Sequence, residues 1–192
     1  MRRKRDGKKL ILFAIFLVFA FALQAGAATK KEKAREEVRK TVEKVLAHLY
    51  KLQPGAKDVI EKAAGYAVFS NFGMKIFLLG GGKGRGLAHN NRTGEEVFMR
   101  MVEIQGGLGL GVKKFSLVWV FKNESDFKEF VDTGVELGAQ YSASAKSGKE
   151  GAGLEGALTI RPGVWLYQLT DTGLALELTV KGTKYYRDKD LN

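Results

Sequence analysis

The 192 residues suffice for one domain, or one domain with an appendage, and a composition of 45% hydrophobic and 28% charged residues is that of a globular chain. No cysteine and only two histidines, His48 and His89, exclude disulfides, thiolate metal sites, iron–sulfur clusters and a cysteine nucleophile. A formal charge of +11 points to an anionic partner, while 24 glycines against two prolines exclude a proline-rich linker.

The chain begins with Arg2, Arg3, Lys4, Arg5, Lys8 and Lys9 against Asp6 alone, followed by 14 uncharged apolar residues from Leu10 to Leu23 and the small-residue triplet Ala25-Gly26-Ala27. This is the order of a secretory signal peptide. Fourteen residues in a helix reach about 21 Å, short of the roughly 30 Å of a hydrocarbon core, so cleavage near Ala27-Ala28 is favoured over a retained anchor. Removal of residues 1–27 leaves 26 basic and 20 acidic residues, a net charge of +6. That value and export together argue against nucleic acid as a partner. The expected organisation is a signal peptide over 1–27, an amphipathic helical arm over 28–56 and a domain over 57–192, placed in the periplasm or outside the cell.

Thr29 to Leu52 has helical periodicity. Val38, Val42, Val45, Leu46 and Leu49 share one face, while Lys33, Glu36, Glu37, Lys40 and Lys44 occupy the other. Two readings stay open for this arm: packing on its own domain, or lying on a membrane surface with basic residues toward the headgroups. Gln53-Pro54-Gly55 stops the helix, and Lys57 to Ala64 reads as a second, short one. Past Gly65 the period becomes two. Tyr66–Ser70, Met74–Leu79, Glu95–Ile104, Phe115–Phe121, the alternation Ala139–Ala145 and the alternation Leu174–Val180 read as strands, separated by glycine-rich turns at 80–86, 90–94 and 106–107. One helix is expected over Asn123–Asp132, with Asn123 or Ser125 as its cap and Phe127, Phe130 and Val131 as its apolar face. The fold class is α+β: amino-terminal helices, then a glycine-rich antiparallel sheet or barrel-like body with one inserted helix.

Gly80 to Gly86 fails the phosphate-loop pattern, because Gly84 follows Lys83 where serine or threonine is required; it reads as a turn carrying Lys83 and Arg85. Gly151-Ala152-Gly153-Leu154-Glu155-Gly156 fits a dinucleotide pattern but has no surrounding βαβ unit. Asp132-Thr133-Gly134 and Asp171-Thr172-Gly173 raise an aspartate-based hydrolase as a remote alternative, although the triplet is also ordinary turn chemistry. Lys113 and Lys114 stand beside Phe115 and near Trp119, a grouping suited to an anionic bilayer interface.

Ala64-Gly65-Tyr66-Ala67-Val68-Phe69, the Gly80–Gly86 run, Gly106-Gly107 through Gly111, Phe127-Lys128-Glu129-Phe130, Val135 to Ala139, Gly173 to Leu178 and the pair Tyr185-Tyr186 occur in an order that resembles the SYLF-domain family. The resemblance covers roughly residues 60 to 188. It implies a lipid-binding module without catalytic activity, recognising phosphoinositide- or phosphatidic-acid-like headgroups, with an amphipathic helix at the domain's start contributing. The resulting expectation is an exported, non-enzymatic lipid-binding protein acting at an anionic membrane surface. Its candidate contact residues are Lys30, Lys31, Lys33, Arg35, Lys83, Arg85, Lys113 and Lys114, and no cofactor or metal is called for. The alternative is a structural envelope protein whose basic face meets another protein or a polysaccharide.

Overall fold

The computed structural model describes residues 29–70, 83–103, 115–137, 146–147, 153–171, 173–175 and 182–192. The chain falls into two units, Met1–Glu37 and Val38–Asn192. The expected segments at Met74–Leu79, Gly106–Gly111, Ala139–Ala145 and most of Leu174–Val180 lie outside the described residues, as do the expected signal peptide and Lys113 and Lys114.

Helix α1 runs over residues 29–52. Its apolar stripe, from Val38 through Val42 and Val45 to Leu49, is buried within the second unit, each side chain worth about 1.5–3 kcal/mol of transfer free energy. Pro54 cannot continue the helix, and α2 restarts at Ala56–Lys62. Asn91 donates both amide hydrogens to the closing carbonyls of α2, 2.6 Å from Ile60 O and 3.0 Å from Ala63 O. Helix α3, Glu124–Thr133, buries Phe127, Phe130 and Val131 as its periodicity requires. Asn123 stands at its N-cap, but its side chain caps no backbone N–H; it donates to Asp126 Oδ2 at 3.0 Å. Gly134 ends the helix at φ +75°, and its ideal Cβ would lie 2.4 Å from Tyr185 O, so no other residue fits there.

Among the described residues ten strands form one antiparallel sheet: β1 Gly65–Ser70, β2 Lys83–Asn90, β3 Glu96–Glu103, β4 Phe115–Phe121, β5 Val135–Leu137, β6 Lys146–Ser147, β7 Ala157–Arg161, β8 Val164–Thr170, β9 Gly173–Leu174 and β10 Thr183–Arg187. The order is β5-β10-β3-β2-β1-β4-β8-β7-β6, with β9 paired to β8. The turn expected at 90–94 is present: Asn90 Oδ1 accepts from the backbone N–H of Arg92 and Thr93 at 2.9 and 3.2 Å, joining β2 to β3. Of the turn expected at 80–86, residues 80–82 lie outside the described residues and the remainder is strand. Lys83 to Gly86 opens β2, a central strand between β1 and β3.

The reason is the curl of the sheet. At about 4.8 Å per strand, a flat sheet would hold β4 and β10 roughly 19 Å apart. Yet the rings of Trp119 on β4 and Tyr185 on β10 are 5.2 Å apart, and Phe69 on β1 lies 4.8 Å from Tyr185. The second unit is therefore a half-barrel whose concave face closes on itself, with Phe130 of α3 packed among the same rings. Closure needs empty space on the intervening strand. An ideal Cβ on Gly86 would fall 2.4 Å from Phe69 Cδ1, and one on Gly84 would fall 2.4 Å from Met101 Cε. The glycines are strand residues under an aromatic lid.

The convex face carries the alternate residues, including Val68, Leu87, Phe98, Val118, Val120, Trp165 and Tyr167, all buried. Residues 38–52 of α1 cover it, the Arg39 guanidinium lying 5.4 Å above the Phe98 ring. The Tyr167 hydroxyl donates to Gly153 O, and Gly153 packs against α2, its ideal Cβ 2.7 Å from Gly55 O. Gly153 and Gly156 thus serve a packed turn, not a dinucleotide loop.

Candidate functional site

The first described turns, residues 29–37, hold four of the nominated cations. Lys30 and Lys33 are exposed, Lys31 is half-buried, and Arg35 Nη1 lies 3.4 Å from Glu32 Oε2. That contact between flexible side chains at the surface is worth little. Within the second unit α1 continues with exposed Lys40 and Lys44.

Beneath α1, a row of polar side chains crosses three strands: Tyr66 on β1 is the registered partner of His89 on β2, which is the partner of Glu96 on β3. The Tyr66 and His89 rings are 5.3 Å apart, and Arg39 Nε pairs with Glu96 Oε2 at 2.9 Å. Burial pushes the Tyr66 phenol up, with Glu96 adding to the shift. Burial likewise pushes Tyr50 of α1 up to about 12, with Tyr66 and Glu61 contributing. These groups fix the position of α1 on the sheet.

A second cluster lies at the other end of β2 and β3. Arg85 and Arg100 are registered partners on neighbouring strands, an arrangement of like charges that needs a counter-ion. Asp188, fully buried, supplies it: its Oδ2 is 2.9 Å from Arg100 Nε and 4.0 Å from Arg85 Nε. Burial alone would raise this carboxyl, but the Arg100 guanidinium, the Asp190 backbone N–H and Arg85 outweigh it and hold Asp188 below the ordinary value of 3.8. Arg100 Nη2 also pairs with Asp190, whose side chain is 76% exposed. Residues 188–192 are tied down by the backbone of Phe98. Its carbonyl accepts from Asp188 N at 2.8 Å and from Asn192 Nδ2 at 2.7 Å, while its N–H donates to Asn192 Oδ1 at 3.0 Å.

Of the nominated residues, then, Lys30, Lys31, Lys33 and Arg35 share one helix, and Lys83 and Arg85 share one strand, with Arg85 half-exposed beside Asp188. Arg100, Asp188 and Asp190 were not nominated. No local pattern marks them: strand register sets Arg100 beside Arg85, and the segment after β10, tied to Phe98, brings Asp188 and Asp190 to that pair. Asp132, in the last turn of α3, is paired with Arg187 at 3.3 Å. Asp171 lies in the turn after β8, with β3, β2, β1 and β4 between β10 and that strand. Among the described residues no group of three or more His, Asp or Glu side chains could hold a metal ion, and no helix is long and apolar enough to cross a membrane.

A helix-covered antiparallel half-barrel, stapled by buried and half-buried ion pairs, is the class of protein these elements define. Residues 102–192 match the Ysc84 family, described as "Las17-binding protein actin regulator". The chain is also 34% identical over 163 residues to beta cell expansion factor A of Aeromonas veronii, a match covering 85% of this chain and 60% of that protein. The chain spans about 60% of the length of that curated relative. The family that residues 102–192 match, Ysc84 or SYLF, is the one the glycine pattern resembles.

Proposed function

We propose that this protein is an exported, non-enzymatic lipid-binding protein that meets an anionic membrane surface through the start of α1. The observation that carries the reading is the division of that helix. Its first described turns expose Lys30 and Lys33, whereas the stripe from Val38 to Leu49 is buried against the sheet. With that stripe occupied, attraction is electrostatic: each cation near an anionic leaflet contributes up to about 1 kcal/mol, without insertion of an apolar face. The SYLF match supports a lipid- or actin-regulator type of binding role, and the order of residues 1–27 supports export.

Sedimentation of the protein with phosphatidylcholine vesicles, with and without phosphatidic acid, tests the reading. Wild type should bind only the acidic vesicles, and binding should fall with salt. The Lys30/Lys31/Lys33→Glu variant should bind at least about tenfold more weakly at low salt. Equal binding by that variant would remove α1 as the contact. A second reading, a protein partner, is favoured by the family's description as Las17-binding; it gains if neither vesicle type retains the wild-type protein.

A further inference from the structure

The cluster around Asp188 contains more cation than it needs for its own stability. Asp188 is the buried counter-ion of Arg100, held in place by Phe98, and it has no freedom to leave. Arg85 is different. Its side chain is 48% exposed, and its closest carboxylate among the described residues is Asp188 at 4.0 Å. The outer nitrogen of Arg100 pairs with Asp190, which is 76% exposed. Lys184 of β10 is exposed, and strand alternation puts it on the same face of the sheet as Tyr186, the registered partner of Arg100. A surface carboxylate on an arginine is weakly held and exchangeable. A phosphate offers three acceptor oxygens where Asp190 offers two, and can bridge two guanidinium groups at once.

We propose that Arg85 and Arg100 form a second anion-binding point, for the phosphate of a lipid headgroup, in which the headgroup takes the place of Asp190 while Asp188 remains as the fixed counter-ion. The site rests on the membrane reading above and extends it from a diffuse attraction by α1 to a defined headgroup contact on the sheet. Asp190 acts as the internal competitor, so removing its charge exposes the site without disturbing the buried pair.

The test is the affinity of the full chain for phosphatidylcholine vesicles containing phosphatidic acid. Asp190→Asn should bind about fivefold more tightly than wild type, the gain expected from one cation released to the surface. Asp58→Asn is the charge-matched control, since Asp58 is an equally exposed acid paired with Lys62 on α2; it should change binding far less. Arg85→Gln should cancel the gain of Asp190→Asn. The proposal is overturned if Asp58→Asn gains as much, if the gain survives Arg85→Gln, or if Asp190→Asn strengthens binding of inorganic phosphate alone and not of vesicles. Wild type that ignores acidic vesicles sinks the membrane reading and this site with it, whereas wild-type binding unaffected by Asp190→Asn sinks this site alone.

Discussion

On the concave face of the half-barrel, Phe69, Trp119, Phe130 and Tyr185 meet ring to ring over a strand stripped to Gly84, Gly86 and Ala88. On the convex face, apolar side chains, aromatic as well as aliphatic, lie under α1, and the polar groups at both ends are locked by arginines, Arg39 to Glu96 and Arg100 to Asp188. The first face is closed by shape, which has one solution at close-packed density. The second combines apolar burial with ion pairs, which can exchange partners. Binding functions belong on the second face, where a partner can replace an internal contact without unpacking the core.

The largest expected effect breaks the concave face. In Gly86→Val the new Cβ would lie 2.3 Å from Val68 O and 2.4 Å from Phe69 Cδ1, a clash with backbone and a buried ring that rotamer changes cannot relieve. A loss of about 3 kcal/mol or more follows, seen as a large fall in melting temperature or failure to fold. A variant that melts like wild type would mean that the sheet does not curl as tightly over β2 as the ring contacts require.

That glycine also marks where the sequence was legible and where it was not. Helices α1, α2 and α3 and strands β1, β3 and β4 follow from period and stop signals, because each has a single buried stripe or strong β-formers between clear turns. Strand β2 reads locally as a turn: Gly84 and Gly86 are small on account of Met101 and Phe69, which come from neighbouring strands. Strand β8, Val164–Thr170, shows no alternation because Val164 through Leu169 are buried on both faces. The same limit applies to the charges. Arg85 was legible as a cation, but Arg100 is assigned to it by register and Asp188 by the anchoring of the final segment to Phe98, which composition and spacing do not carry.

The convex face gives the next effect. Val42 is 5% exposed, and Val42→Asp would place an unpaired carboxylate between α1 and the sheet at a cost of about 3 kcal/mol. Circular dichroism and thermal melting should show a destabilised protein. A stable, folded Val42→Asp variant that loses vesicle binding would reverse the comparison, making the stripe of α1 a membrane face and not a packing face.

The smallest effect sharpens the contrast inside the concave core. The Tyr185 hydroxyl is buried and, among the described residues, makes no hydrogen bond of good geometry, and the neighbouring Trp119 Nε1 makes none either. A polar atom buried without a partner opposes folding, so Tyr185→Phe should change neutral-pH stability by no more than about 1 kcal/mol and in the stabilising direction. The pH dependence follows from the shift of the phenol. Burial raises Tyr185 well above its ordinary value of 10.0, with the Trp119 side chain offsetting part of the rise. An acid whose pKa is raised by folding contributes stability that is complete below the unfolded value and is lost as pH climbs from there toward the folded one. Wild type should therefore lose stability above pH 10, and Tyr185→Phe should lose measurably less, since the substituted side chain has no proton to release in the unfolded chain. Melting temperatures at neutral and alkaline pH for the two proteins give both answers. A Tyr185→Phe variant strongly destabilised at neutral pH would show that the hydroxyl has a partner inside the half-barrel, and the concave face would then share the polar anchoring of the convex one.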